Sequence, residues 1–91
     1  MMERRTIHFS GRVQGVGFRM TTVQLAEDLA LAGTVRNLTD GGVELDVEGE
    51  MAEIDTLVER LREHFGSYIR TVEQRSRQPQ GLTHQGIRVT Y

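Results

Sequence analysis

The sequence predicts an α/β fold of the α+β kind: one antiparallel-rich sheet with two helices on one face. Three observations lead there. Hydrophobic periodicity switches along the chain between two and about 3.6 residues, turn residues mark the switches, and the resulting order is strand, helix, strand, strand, helix, strand. That order is the split βαβ arrangement, in which two antiparallel helices cover one side of a single sheet. Right-handed crossover makes the first and second strands parallel, with the third antiparallel beside them. One domain over residues 1–91 is expected, since a chain of 91 residues holds one modest core.

The elements follow in order. Ile7, Phe9, Gly11 and Val13 alternate with Thr6, His8, Ser10 and Arg12, as in a strand with one buried face. From Met20 to about Ala32 the apolar residues Met20, Val23, Ala26, Leu29 and Ala30 fall on one helical stripe, and Gly33 reads as the helix stop. Thr34 to Leu38 is a short strand, and Thr39-Asp40-Gly41-Gly42 supplies hairpin turn chemistry. Val43, Leu45 and Val47 alternate with Glu44, Asp46 and Glu48, which assigns the three carboxylates to the solvent face of a strand ending at Gly49.

In the second helix Ile54, Leu57, Val58, Leu61 and Phe65 form the buried stripe, Glu50 and Glu53 sit near the positive end, and Gly66 closes it. Tyr68 to about Arg77 is a weaker strand, with Ile69 and Val72 its only aliphatic residues and its register poorly specified. Gln78 to Gln85 reads as a polar loop carrying the only proline, Pro79. Ile87, Val89 and Tyr91 alternate in a short extra C-terminal strand.

Composition narrows the function classes. Hydrophobic residues at 37% and charged residues at 26% describe an ordinary globular protein rather than a disordered one. The 11 basic residues, all arginine, against 13 acidic ones give a net charge of −2, so nothing electrostatic points to nucleic acid or an anionic membrane as partner. The absence of cysteine excludes thiol catalysis, disulfides and cysteine-ligated metals. The start, MMERRTIHFS, has no apolar run after its charges, and a cytoplasmic location is the expectation.

The stretch that carries chemistry is GRVQGVGFR at 11–19, a glycine-rich turn between a strand and an amphipathic helix. Its glycines let the backbone approach a ligand at positive φ, and the first N–H groups of the following helix have no intrahelical partner and point into the turn. Arg19 adds a planar, permanently charged fork that matches phosphate oxygens two at a time. The topology opens this turn and the end of the second strand on the same sheet edge, which brings Asn37 to Arg19. A cationic fork and a neutral amide then face one pocket.

Other chemistry is set aside on residue grounds. The Gly-Lys-Ser/Thr loop of nucleoside triphosphatases is impossible without lysine. A dinucleotide fingerprint fails because Met20 stands where its third glycine belongs. A cysteine phosphatase loop fails at Val13. His8, His64 and His84 lack the spacing of a helical metal pair, and His8 reads as an exposed strand residue. Thr21 and Thr22 read as local hydrogen-bonding residues without a histidine to activate them. Alternation turns Arg12 and Arg36 outward.

With GTVRNLTDGGVELDVEGE at 33–50 behind it, the 11–19 turn resembles the acylphosphatase family, closely through residue 50 and more loosely to IRVTY at 87–91. The resemblance implies a ferredoxin-like sandwich and metal-independent hydrolysis of the carboxyl-phosphate bond of acyl phosphates, with no cofactor. It matches the family's substrate-binding arginine to Arg19, its water-orienting asparagine to Asn37, and its phosphate cradle to the backbone of Gln14, Gly15, Val16, Gly17 and Phe18. Thr34, Gln74 and Ile87 depart from the family's pattern at packing positions.

The expected partners are a small-molecule acyl phosphate and inorganic phosphate as product. A monomer is expected, and neither nucleic acid nor membrane. An acyl phosphate already has a good leaving group, so the protein must chiefly position the phosphoryl group and neutralise its charge. The alternative is a catalytically idle anion-binding or regulatory module of the same fold, because fold alone does not decide function. A nucleic-acid reader of this shape would stack bases on sheet aromatics. The chain has only 2 tyrosines and 3 phenylalanines, and Phe9 and Phe18 are assigned to core and loop.

Overall fold

Alternation along the strands sorts one sheet into an apolar face and a polar face, and the apolar face carries both helices. The computed structural model describes residues 1–81 and 85–91. The elements are β1 (Met2–Gly11), α1 (Phe18–Leu25), β2 (Leu31–Asn37), β3 (Val43–Glu50), α2 (Met51–Phe65), a 3-10 turn (Gly66–Tyr68), β4 (Ile69–Arg77) and β5 (Gly86–Thr90). The sheet order is β4-β1-β3-β2-β5, antiparallel throughout except that β5 runs parallel to β2. This is the expected α+β, ferredoxin-like arrangement. Leu82, Thr83 and His84 lie outside the described residues.

Ile7 and Phe9, Val43, Leu45 and Val47, Leu31 and Val35, and Ile87 point from four strands into the core against Ile54, Leu57 and Leu61 of α2. Phe18, at the start of α1, is 2% exposed, with its ring 5.0 Å from that of Phe9 and 4.6 Å from that of Phe65. The entrance of α1 is thereby pinned to both β1 and α2. In α2, Glu53 lies in the first turn and Arg62 and His64 in the last, the polarity that complements the helix dipole.

Four expectations are corrected. First, α1 ends at Leu25, and neither continues to Ala32 nor stops at Gly33. The Arg60 guanidinium of α2 donates to the Leu25 carbonyl at 2.8 Å and to Asp28 at 2.6 Å, so a partner distant in sequence closes the helix. Met20, assigned to the buried stripe, is 57% exposed.

Second, Gly33 sits inside β2, where an added Cβ would stand 2.0 Å from the Asp46 carbonyl oxygen, so its role is close strand approach. Third, β1 ends at Gly11, and Val13 is buried from the loop that follows. Fourth, Glu48 is not on an open face. It is 4% exposed and accepts the Gln80 N–H at 2.5 Å and the Gly81 N–H at 2.8 Å. Its strand neighbours Glu44 and Asp46 do line the polar face, paired with Arg36 and Arg4.

The polar β4 is an edge strand. Its inward residues Ile69 and Val72 only border the core, and the rest of it is exposed, which explains the weak hydrophobic signal. Among the described residues no helix is long and apolar enough to cross a membrane.

Candidate active site

The glycine turn occupies the end of the sheet where β1 leaves and β2 finishes. Gly15 and Gly17 have φ of 76° and 77°, the left-handed region that favours glycine. The first helical hydrogen bond runs from Thr21 N–H to the Gly17 carbonyl at 2.9 Å. Among the described residues none supplies an acceptor to the backbone N–H groups of residues 15 to 20. A run of unclaimed donors at a helix entrance is an anion-binding arrangement.

Gln14 ties this turn to the neighbouring hairpin. Its side-chain Nε2 donates to the Leu38 carbonyl at 2.7 Å and to the Gly42 carbonyl at 2.9 Å. The same hairpin is closed by Leu38 N–H to the Gly42 carbonyl, and Asp40 Oδ1 accepts the Gly42 N–H. Gln14 thus braces the chain next to Asn37, the last residue of β2 and the register partner of Val43.

Leu31, Gly33 and Val35 face the core along β2, so Asn37, two further on, lies on the same side of the sheet as α1. On its other flank, Arg19 Nη1 donates to the Thr90 carbonyl at 3.4 Å, and its guanidinium lies 4.9 Å from the centre of the Tyr91 ring. Thr90 is the register partner of Arg36, the residue before Asn37. Arg19 and Gln14 therefore both reach the end of β2 that carries Asn37.

The other residues named from the sequence are spread differently. Val16 packs against the core and Phe18 is part of it, so these two contribute backbone to the turn while their side chains anchor it. Thr22 is fully buried and its hydroxyl donates to the Phe18 carbonyl at 2.8 Å. Arg12 stacks over Tyr68 at 5.0 Å, and Arg36 pairs with Glu44 across the hairpin.

His8 is partly buried rather than exposed, with Nε2 3.3 Å from Asp40 and Nδ1 3.6 Å from Glu73. It lies on the polar sheet face, where Thr6, His8, Asp40, Glu44, Glu73 and Arg75 line a depression of about 400 Å³ that includes none of residues 14–19 or 37. His64 stacks edge-on against Phe65, and His84 is outside the described residues. Among the described residues no three His, Asp or Glu side chains are gathered as a metal-ligand set.

At the opposite end of the sheet, Arg5 is 9% exposed and donates to Asp55 at 2.7 Å and to Gln74 at 2.9 Å. The Arg5 guanidinium also donates to Glu3, which, helped by the Ser76 hydroxyl, holds the Glu3 carboxyl below its usual range. These charges brace β1, β4 and α2, and they take no part in the turn.

Sequence reasoning missed Thr90 and Tyr91 as supports of Arg19, and the Gln14 side chain as a brace. The signal was faint. Tyr91 reads only as the next residue of an alternating strand, and that this strand lies beside β2 depends on sheet order, which residue types do not encode.

The acylphosphatase family model matches residues 5–85. An acylphosphatase of Synechococcus sp. is 41% identical over 99% of both chains. One from Paenarthrobacter aurescens is 52% identical over 64% of this chain and 62% of its own length. The crystal structure of acylphosphatase from Bacillus subtilis superimposes with a TM-score of 0.83 at 33% identity over the whole of both chains. With the fold and nearly the full length matched, the chain belongs to the acylphosphatase family of enzymes.

Proposed function

We propose that this enzyme hydrolyses acyl phosphates to a carboxylate and inorganic phosphate without a metal ion or other cofactor, acting as a single domain over residues 1–91. Arg19 and the N–H groups of the 14–19 turn hold the phosphoryl oxygens and neutralise their charge. Asn37 accepts a hydrogen bond from the attacking water and donates through its amide, which orients the water without any change of protonation state. The water oxygen attacks phosphorus in line with the bond to the carboxyl oxygen; that bond breaks and the carboxylate leaves with its electron pair. A phosphate oxygen takes the proton of the water.

The observation that carries this reading is the run of N–H groups from 15 to 20 that has no acceptor among the described residues, set beside Gly15 and Gly17 at positive φ and the Arg19 guanidinium. Turnover of a synthetic acyl phosphate such as benzoyl phosphate, measured in excess chelator, tests it. Hydrolysis by the wild type and its loss in Arg19→Ala are expected. Phosphate binding without turnover would instead make the chain an idle anion-binding module.

A further inference from the structure

Five residues, one from each strand, lie in a single row across the sheet: Arg77 pairs with Arg4, Arg4 with Glu48, Glu48 with Ala32, and Ala32 with Gly86. The connection from β4 to β5 leaves from one end of this row, at Arg77, and returns at the other, at Gly86. β4 and β5 are the two edges of the sheet, with β1, β3 and β2 between them. The central residue of the row is Glu48, and it holds the described residues Gln80 and Gly81 that follow β4. Its two carboxylate oxygens accept the consecutive backbone N–H groups of Gln80 and Gly81, at 2.5 and 2.8 Å.

Hydrogen bonds from backbone N–H groups to a charged acceptor are strong, and Glu48 is 4% exposed, so water competes weakly for them. The strand that comes next, β5, is short. It is five residues long, lies at an edge and, among the described residues, pairs with β2 alone. Its far end supplies the Thr90 carbonyl that accepts from Arg19, and the Tyr91 ring beneath the guanidinium follows directly.

We propose that Glu48 is a positioning residue for Arg19: by fixing Gln80 and also Gly81, which is five positions before Gly86, it limits where β5 can begin, and so where Thr90 and Tyr91 hold the guanidinium. This rests on the reading of Arg19 as the phosphate-binding group. A staple that only stabilised the loop would change the melting temperature and leave phosphate binding alone. A positioning residue changes phosphate affinity at temperatures where the protein is fully folded, and does so through Tyr91.

The experiment is a double-mutant cycle with inorganic phosphate as the probe, using wild type, Glu48→Gln, Tyr91→Ala and the double variant. Affinity is measured by calorimetry well below each melting temperature, together with amide exchange of residues 87 to 90. Gln preserves the volume of Glu but not its charge. Glu48→Gln is expected to weaken phosphate binding by about twofold to fivefold, no more than Tyr91→Ala does, to speed exchange in β5 but not in β1 or β3, and to add little when Tyr91 is already Ala. Should Glu48→Gln not fold, the same cycle is run with Glu48→Asp, which keeps the charge and shortens the reach.

Unchanged affinity, unchanged β5 exchange or full additivity with Tyr91→Ala would overturn the proposal. A wild type that binds no phosphate would overturn the reading of Arg19 on which it rests, a distinct result, because the exchange measurement still reports whether Glu48 holds β5.

Discussion

Arg19 and Thr90, 71 positions apart in sequence, meet at 3.4 Å, the guanidinium donating to the strand carbonyl. At that length the bond is weak. It orients the fork between the glycine turn and the end of β2 while leaving its donors available to a ligand. The face of the Tyr91 ring, with the guanidinium carbon over it at 4.9 Å, completes the support.

Removing that face should loosen the fork without removing it. Tyr91→Ala is expected to raise KM by about twofold to fivefold, the worth of an exposed cation–π contact of roughly 0.5–1 kcal/mol, with kcat nearly unchanged. Tyr91→Phe keeps the ring and should match the wild type. Steady-state kinetics on the two variants check this, and an equal KM in Tyr91→Ala would show that the ring is a bystander.

Gly33→Ala should be among the costliest small substitutions in the sheet. The new Cβ meets the Asp46 carbonyl oxygen at 2.0 Å and the Val47 Cα at 2.9 Å, both backbone atoms that can yield only by spreading β2 from β3. A loss of about 2–3 kcal/mol in denaturant unfolding is expected.

Gly33 also shows what could be read from the sequence and what could not. β3 and α2 were legible because each buries one full face, so Val43, Leu45 and Val47, and Ile54, Leu57, Val58 and Leu61, print the period of their element directly. The end of α1 was not legible. The run Met20, Val23, Ala26, Leu29 and Ala30 keeps a helical spacing beyond Leu25, and the group that takes the Leu25 carbonyl is Arg60, on another helix.

Glu48 misled for a related reason: alternation puts it on the polar side of β3, but a segment more than thirty residues later covers it. The placing of the turn with Arg19 and of Asn37 at one end of the sheet was legible because it follows from the strand–helix order. The supports from Gln14, Thr90 and Tyr91 were not, since each acts across the sheet edge.

Acid should weaken the end of β1. Hydrogen bonds from Arg5 and Ser76, and the charge of Arg5, hold the Glu3 carboxyl below its usual value of 4.5 in the folded protein. A depressed folded-state value means that this pair's contribution to stability is fully present above the unfolded value. It is lost as pH falls from about 4.5 through the lower folded value. Glu3→Gln should therefore lower the melting temperature at pH 7 and flatten its dependence on pH below about 4.5. Parallel melting curves of variant and wild type from pH 7 to pH 3 would contradict the assignment.

Arg19→Lys tests the fork itself. A point charge on a flexible stem cannot engage two phosphate oxygens in one plane. Turnover should fall on the order of a hundredfold, with phosphate affinity reduced alongside it, and Lys should rescue little of what Ala removes. Near-normal affinity in Arg19→Lys would reduce the role of the guanidinium to bulk charge.

The division of labour between Arg19 and Asn37 is tested most directly on one purified variant, Asn37→Ala, by measuring inorganic-phosphate affinity and acyl-phosphate kcat on the same sample. If Asn37 orients the water while Arg19 and the turn hold the phosphate, affinity stays near the wild-type value and kcat falls by roughly two orders of magnitude or more. Weakened phosphate binding with near-normal kcat would contradict this and make Asn37 a clamp on the ligand.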